Sequence, residues 1–477
     1  MIFPLFISLV LPILTGIIFC VLLWPKFFPL TGSHFLIIVW IGSGLGIGIF
    51  SIIFFLSLIV FGYEKISFIL IEGILLFSLI LILSLKFKLA DLGKFSSLIT
   101  SPFSNRKTLR FLAISFYIAF GLSIIIFILL LLNRPHGEWD AWAIWNMRAR
   151  FLYRGKEQWM LAFSNLLGWS HPDYPVLIPG FIACCWEMIG HETQIIPSLV
   201  AMLFTYGTVG LMFSALSSMG NRLNAYLGGL ILVGTPFFIT HGASQYADIP
   251  LGFFFLATIV LLGLQDTCAI HNVSIGKFNF LILAGITAGL ASWTKNEGLA
   301  FCLSILTSRF FLFLSSKGWI NSLKEILSLG LGLGPTLGLF VYFKFRLAPD
   351  NDIFASPHWS VIIDRITDLS RFHQIMKAFV EEILNFGNWA FNIPALIILI
   401  LFLLLLGRQM EKNRWRSVFV SLSALGMMLA IYFSIFLISP HNLQWHLSTS
   451  LNRLMLHLWP WFIFTFLLMV IPQSKHE

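Results

Sequence analysis

The sequence predicts an all-α, polytopic integral membrane protein, and three observations predict it. Of 477 residues, 58% are hydrophobic and only 11% are charged, whereas soluble domains carry about 25% charged residues. Apolar runs of roughly 20 residues, the length that crosses a bilayer as a helix, recur along nearly the whole chain. The alternating pattern of a membrane β-barrel is missing, and an open sheet cannot span lipid. The mean hydropathy is +0.89. The formal charge of +9 does not point to nucleic acid, because the basic residues sit in short loops between apolar runs, as the positive-inside rule requires. The lipid bilayer is the first partner.

The first apolar run, Ile2 to Trp24, lacks a basic leader and a small-residue cleavage site, so it is expected to stay as a helix. Phe35–Phe61 and Ile66–Leu85 are the next two spans, the former open to a break at Gly42, Gly44, Gly46 and Gly48. A loop follows with Lys86, Lys88, Lys94, Arg106, Lys107 and Arg110 against Asp91 alone, and a second basic loop holds Arg408, Lys412, Arg414 and Arg416 against Glu411. Both are expected in the cytoplasm. Thr108–Leu132 then runs outward, and residues 133–193 form the first external loop. Within it, Pro175–Gly190 is short and interrupted by Pro179; it is expected to lie in the membrane surface, since a span there would invert every later loop. Gln194–Met219, Leu223–Thr240, Ile249–Leu264, Phe278–Trp293, Leu299–Leu314, Ile326–Phe343 and Phe386–Gly407 alternate until the second basic loop, and Val418–Ile438 and Leu454–Ile471 complete the chain. This amounts to about 13 spans with an external N-terminus and a cytoplasmic C-terminus. The organisation expected is N-terminal helices over 1–107, a core over 108–347, and an external loop with C-terminal helices over 348–477.

That orientation gathers Asp140, Asp173, Asp248, Lys295, Glu297, His441 and Arg453 on one external face, although none of them was used to set it. Ionisable groups at a membrane face are costly and point to function. Glu138 and Asp140 open a stretch with Trp139, Trp142 and Trp145. From Asp140 to Arg154 it reads as an amphipathic interfacial helix, with Trp142, Ile144, Trp145 and Leu152 toward lipid and Arg148, Arg150 and Arg154 toward phosphate. A plain aromatic and arginine anchor accounts for the arginines but not for Asp140. His171-Pro172-Asp173-Tyr174-Pro175 is a rigid polar turn, where Asp173 serves either the next helix dipole or a ligand. Asp248 in Tyr246-Ala247-Asp248-Ile249-Pro250 can cap the following helix. Lys295 and Glu297 share a turn with almost no loop; they pair with each other, or Lys295 meets a lipid phosphate. Trp359 to Phe379 has amphipathic spacing suited to a lid or interfacial helix, or equally to a purely structural role, and Arg453 is a phosphate candidate. The five cysteines show no metal-ligand spacing, and no nucleotide loop or serine-hydrolase elbow is present.

At Asp140, Asp248 and Lys295 together the chain resembles the GT-C polytopic glycosyltransferases, nearest to the protein O-mannosyltransferases and the lipid A aminoarabinose transferases. The likeness covers roughly Thr108 to Leu347. Its elements are an aspartate opening a juxtamembrane helix in the first external loop (Asp140), a second such helix after a proline turn (Pro175–Gly190), an external aspartate before a later span (Asp248), and a Thr294-Lys295 turn. Three spans precede the usual first one, and Tyr174 stands where some relatives have lysine. The resemblance implies transfer of a sugar from a polyprenyl-phosphate carrier to a protein, lipid or glycan acceptor, on the outer side of what is expected to be a bacterial cytoplasmic membrane. Asp140, with Glu138 and Asp248, would supply the base and its support. Lys295, Arg453, Arg148, Arg150, Asp173, His171 and Glu297 would bind phosphate or substrate. No cofactor is specified, though a divalent cation is a candidate. The rival classes are a transporter or flippase, which places ionisable groups at mid-membrane, an O-antigen ligase or polymerase, which centres on a large late external loop, and a non-catalytic scaffold.

Overall fold

The structure is a computed structural model and describes residues 2–25, 31–62, 65–86, 107–270, 278–316, 319–351, 353, 359–389 and 414–469. Every described element is a helix. In order they are α1 (Ile2–Leu23), α2 (Gly32–Phe61), α3 (Lys65–Lys86), α4 (Lys107–Asn133), a π-turn at Ala141–Trp145, α5 (Asn146–Arg154), two 3₁₀ segments (Lys156–Phe163 and Asn165–Ser170), α6 (Leu177–Ile189), α7 (Ile195–Met219), α8 (Arg222–Gly234), α9 (Pro236–Ala243), α10 (Asp248–Ile270), α11 (Asn279–Thr294), α12 (Glu297–Ser316), α13 (Trp319–Arg346), α14 (Trp359–Thr367), α15 (Leu369–Asn385), α16 (Trp415–Ile438) and α17 (Leu443–Met469).

Among the described residues, nine helices are long and apolar enough to cross a membrane: α1, α2, α3, α4, α7, α10, α13, α16 and α17. The bent pair α8 and α9 makes a tenth if it is one broken span. The protein is therefore an integral membrane protein of the helical class. The count of about 13 goes beyond these helices. The run expected at Leu299–Leu314 is a helix, α12, and that at Phe278–Trp293 is α11, short at 16 residues; neither is among the nine. Most of Phe386–Gly407 and of both basic loops lies outside the described residues.

Two local departures have plain causes. The span expected over Leu223–Thr240 bends by 62° between α8 and α9. Thr235 precedes Pro236, and the proline ring drives the residue before it out of helical geometry, here to φ −83° and ψ 103°. In α2 the glycines cause no break; the helix runs unbroken through all four. They let α1 approach instead: a Cβ on Gly42 would stand 2.6 Å from the Ile17 Cα, and one on Gly46 would run into the Pro12 carbonyl. Small residues at a crossing are the usual route to close packing in lipid.

α10 is the centre of the bundle. Its most apolar window is entirely buried, and it packs against α7, α11 and α17. α3 and α4 are its opposite, each with a window only 17% buried and therefore facing lipid. α6 occupies the place expected for Pro175–Gly190 and, at 13 residues, is not among the nine spans. Its face is covered by protein, with every residue from Leu177 to Glu187 buried and α1, α2 and α5 packed against it. The amphipathic stretch from Trp359 forms two helices, α14 and α15, because Asp368 caps the second by accepting from the Ser370 and Arg371 amides at 2.9 and 3.3 Å.

Candidate functional site

The loop after α4 turns at Gly137, whose φ of +75° suits glycine. A Cβ there would lie 2.5 Å from the Ala141 Cβ and from the Ser244 carbonyl oxygen. This close approach belongs to a seam that stitches residues 133–146 to residues 241–248. The Glu138 amide donates to the Ser244 carbonyl at 3.2 Å. The Asn146 Nδ2 donates to Gln245 Oε1 at 2.9 Å, and Gln245 Nε2 donates to the Pro135 carbonyl at 3.1 Å. The seam carries Asp140 over the start of α10, where Asp248 stands.

Asp248 is fully buried and takes donors from three other elements. Its Oδ1 accepts from Lys295 Nζ at 2.8 Å and lies 2.7 Å from His457 Nε2. Its Oδ2 accepts from Arg453 Nε and Nη2 at 3.0 and 2.9 Å and lies 2.9 Å from His241 Nε2. With the proton on Nε2, each imidazole donates to the carboxylate, and His457 Nδ1 is left to accept from the Tyr432 hydroxyl at 3.3 Å. Asp248 is therefore not a helix cap in the ordinary sense, because its oxygens serve side chains. The Arg453 Nη2 reaches on to Asp140 Oδ2 at 2.6 Å. Lys295 Nζ also meets Glu297 Oε1 at 3.0 Å, so the ion pair across the tight turn forms and Asp248 shares the same ammonium. Burial works against the Lys295 charge, but Asp248 and Glu297 outweigh it and raise the lysine above its usual range.

Asp140, Asp248, Glu297, Lys295 and Arg453 thus form one connected cluster at one end of the bundle. The cluster is partly open at Asp140, Arg453 and Glu297, whose side chains are 14%, 22% and 13% exposed, and closed at Asp248 and Lys295, at 0% and 4%. The Tyr246 ring lies under the Arg453 guanidinium at 5.0 Å, and the Tyr174 ring faces Lys295 at 5.7 Å. Cations on aromatic faces gain stabilisation without losing charge.

Asp173 sits one step away. Its Oδ2 accepts from Asn296 Nδ2 and Asn351 Nδ2, both at 2.8 Å, and its carbonyl accepts from Lys344 Nζ at 2.6 Å. It therefore ties the Lys295 turn to the end of α13, and it does not cap α6, which starts at Leu177.

Several residues are placed differently from expectation. Arg148 is 1% exposed, and its guanidinium is consumed by the carbonyls of Ser170, His171 and Tyr174 at 2.9, 2.7 and 3.1 Å. Burial lowers it to about 10, opposed by Asp173 and Tyr174, and no face of it is left for a phosphate. Arg150 stands 3.5 Å from Glu192 and over the Trp186 ring, while Arg154 holds Glu192 with both nitrogens. Trp145, Ile144 and Leu152 are buried, so the Asp140–Arg154 stretch does not lay that face on lipid; Trp139 and Trp142 are the exposed members. Glu138 pairs with Arg134 at the surface rather than with the cluster. His171 stacks on Tyr174, 5.2 Å between ring centres. His441 packs with Trp445 and His446.

His241, His457, Tyr246, Asn296 and Lys344 were not anticipated. A histidine inside an apolar run is itself a signal, since its ring nitrogens need partners in lipid, and His457 lies in the middle of one. A second buried network was also missed. Arg309 on α12 forks onto Asp266 at 2.9 and 2.5 Å and reaches Glu325 on α13 at 3.5 Å, and Ser417 on α16 donates to Asp266 at 2.7 Å. It lies toward the other end of α10 from Asp248.

Among the described residues no group of three His, Cys, Asp or Glu side chains is placed to hold a metal ion. Both Asp248 oxygens are taken by cationic and imidazole donors, and a divalent cation at Asp140 would face Arg453, so the residues do not fit a metal here. Two cavities lie elsewhere. One of about 490 Å³ is lined by Gln158, Met160, Leu161, Phe163 and Ser164, and one of about 350 Å³ lies between α2 and α13. No protein-family model matches the chain, and no curated protein or solved structure matches it.

Proposed function

We propose that this protein is a membrane glycosyltransferase that moves a sugar from a polyprenyl-phosphate carrier to an acceptor hydroxyl on the external face, with Asp140 as base. The observation that carries this reading is the Asp140–Arg453–Asp248 chain of contacts, in which a partly open carboxylate is held beside a partly open guanidinium by a fully buried second carboxylate. Such an arrangement suits chemistry on an anionic lipid head. Arg453, the more open cation, would hold the phosphate and stabilise charge developing on it as the glycosidic bond breaks, while Lys295, buried between Asp248 and Glu297, supports it from behind instead of meeting the phosphate as the sequence suggested. Asp140 would take the acceptor proton as its oxygen attacks. The sugar carbon becomes oxocarbenium-like, and direct displacement inverts it. Asp248 keeps both cations in place.

The test uses the full-length protein in nanodiscs with polyprenyl-phosphate sugars, alongside mass spectrometry of glycans and lipid carriers in a deletion strain. Asp140→Asn is expected to abolish transfer while leaving membrane insertion intact, and the deletion is expected to accumulate charged carrier. Transfer at the parent rate in Asp140→Asn removes that residue from the mechanism. A second reading is favoured by one observation: α10 carries a buried ion network at Asp248 and another at Asp266, 18 residues apart or about 27 Å. Paired networks at opposite ends suit the two gates of a transporter. In that case the deletion would abolish substrate movement and leave glycan composition unchanged.

A further inference from the structure

The two helices expected to lie in the membrane surface beside Asp140 are largely enclosed by protein, and the segment between them carries the exposed apolar side chains instead. Residues 156–170 form a strap of two 3₁₀ segments. Its inward side chains, Trp159 and Phe163, are 2% and 5% exposed. Trp159 packs edge-on against Phe55 of α2 at 5.8 Å, and Phe163 against Phe343 of α13 at 5.1 Å. Its outward side chains are Met160, Leu161, Leu166 and Trp169, exposed by 56%, 52%, 90% and 56%. Four large apolar groups on one short surface segment are more than a water-facing loop tolerates without reason.

The depth of the strap identifies what covers it. Phe55 lies six residues before the end of α2, which is about 9 Å along the helix. Beyond Phe55 the helix still presents exposed Leu56, Val60 and Phe61. Beyond Phe343, α13 presents Phe345, which is 84% exposed, and then ends on the exposed cation Arg346, as a helix does where lipid chains give way to headgroups. On both spanning helices, apolar outward-facing surface therefore continues past the level at which the strap is anchored. The exposed polar residues of the strap are Lys156, Glu157 and Gln158 at its start and Asn165 where its second segment begins, and tryptophan favours the boundary between headgroups and chains.

The strap is also held in shape. Lys156 at its start and His171 just after it both adopt φ of +47°, a conformation a non-glycine residue keeps only when its surroundings enforce it. Arg148 clamps the Ser170 and His171 carbonyls beside it.

We propose that the 156–170 strap lies in the boundary layer of the leaflet on the Asp140 side, with Met160, Leu161, Leu166 and Trp169 among the lipid chains. The same contact braces the cluster. Trp293, two residues before Lys295, packs against both rings that anchor the strap, 5.2 Å from Phe55 and 5.8 Å from Phe343. The proposal concerns a surface and holds whichever reaction the cluster performs.

The experiment places a nitroxide at Leu166→Cys in the full chain, reconstituted in phosphatidylcholine and phosphatidylglycerol vesicles, with the signal of the parent protein subtracted. Accessibility to oxygen and to a water-soluble nickel chelate is compared with Ile118→Cys on the lipid-facing side of α4 and with His191→Cys in the exposed turn after α6. The expected ratio at position 166 lies well above that of position 191, toward that of position 118, which sits deeper in the bilayer. A ratio matching position 191 overturns the proposal, and so does shielding from both reagents, which would mean that a protein partner or a second copy covers the strap. As a second measurement without a new cysteine, brominated phosphatidylcholine is expected to quench the parent fluorescence by a larger fraction than that of Trp169→Phe. Equal quenching of the two counts against lipid contact.

Discussion

Replacing Asp248 by asparagine separates the two carboxylates of the cluster by what each does. Asp248 is fully buried and its oxygens accept from Lys295, Arg453 and both imidazoles. The amide keeps the size of the side chain but strands two cations and turns an N–H toward donors. Removing one partner of a buried ion pair costs about 3–5 kcal/mol. Lys295 keeps Glu297 at 3.0 Å and Arg453 keeps Asp140 at 2.6 Å, which puts the loss at the lower end, about 3 kcal/mol. That is a large part of a total stability of about 5–15 kcal/mol. Asp140→Asn leaves Arg453 paired with Asp248 and keeps an amide oxygen that can accept from it, so the loss should be that of weakening one hydrogen bond to a charged group, about 1.5 kcal/mol. The assay is unfolding of the purified protein in mixed detergent micelles, followed by tryptophan fluorescence. Asp248→Asn within about 1 kcal/mol of the parent, or an equal loss in Asp140→Asn, would show that burial does not set the energetics of this cluster.

Gly137→Ala is expected to strain the turn by about 1–2 kcal/mol, and its Cβ contacts with Ala141 and Ser244 should shift Asp140 away from Arg453; transfer activity should fall further than stability, and unchanged activity would argue that the seam does not position Asp140. Arg309→Met takes from buried Asp266 the cation that forks onto it and should cost about 3–5 kcal/mol in the same unfolding assay; a neutral outcome would mean that water reaches that network. The Arg154 hydrogen bond holds the Glu192 carboxyl below its ordinary 4.5, with Arg150 adding to it and burial opposing. A depressed carboxyl stabilises the fold above its unfolded pKa and loses that contribution as pH falls through the folded value. Melting curves taken from pH 6 downward should therefore show a loss below about 4.5 that Glu192→Gln flattens; identical profiles would remove the pair from the account.

Much of the candidate site was legible because ions are too costly in lipid to be scattered. Asp140, Asp248, Lys295 and Arg453 stood out at the ends of apolar runs, and they meet. Among the arginines, charge and position could not distinguish Arg148, Arg150 and Arg453. Three backbone carbonyls from another turn consume Arg148, Glu192 occupies Arg150, and only Arg453 bridges the two aspartates. Those partners come from segments 22 to 313 residues away, and local pattern carries no record of them. His457 was passed over as part of a span because hydropathy averages over its neighbours.

The chain by itself determined that it is helical and membrane-embedded, and where its ionisable groups concentrate, since water and lipid differ so sharply in what they tolerate. The tertiary structure alone decided which apolar faces meet protein and which meet lipid. α6 is apolar and enclosed, whereas the strap at 156–170 is apolar and open. Hydrophobicity cannot separate the two cases, because lipid tails and a helix flank are equally apolar and only close packing, as at Gly42 and Gly46, prefers one to the other.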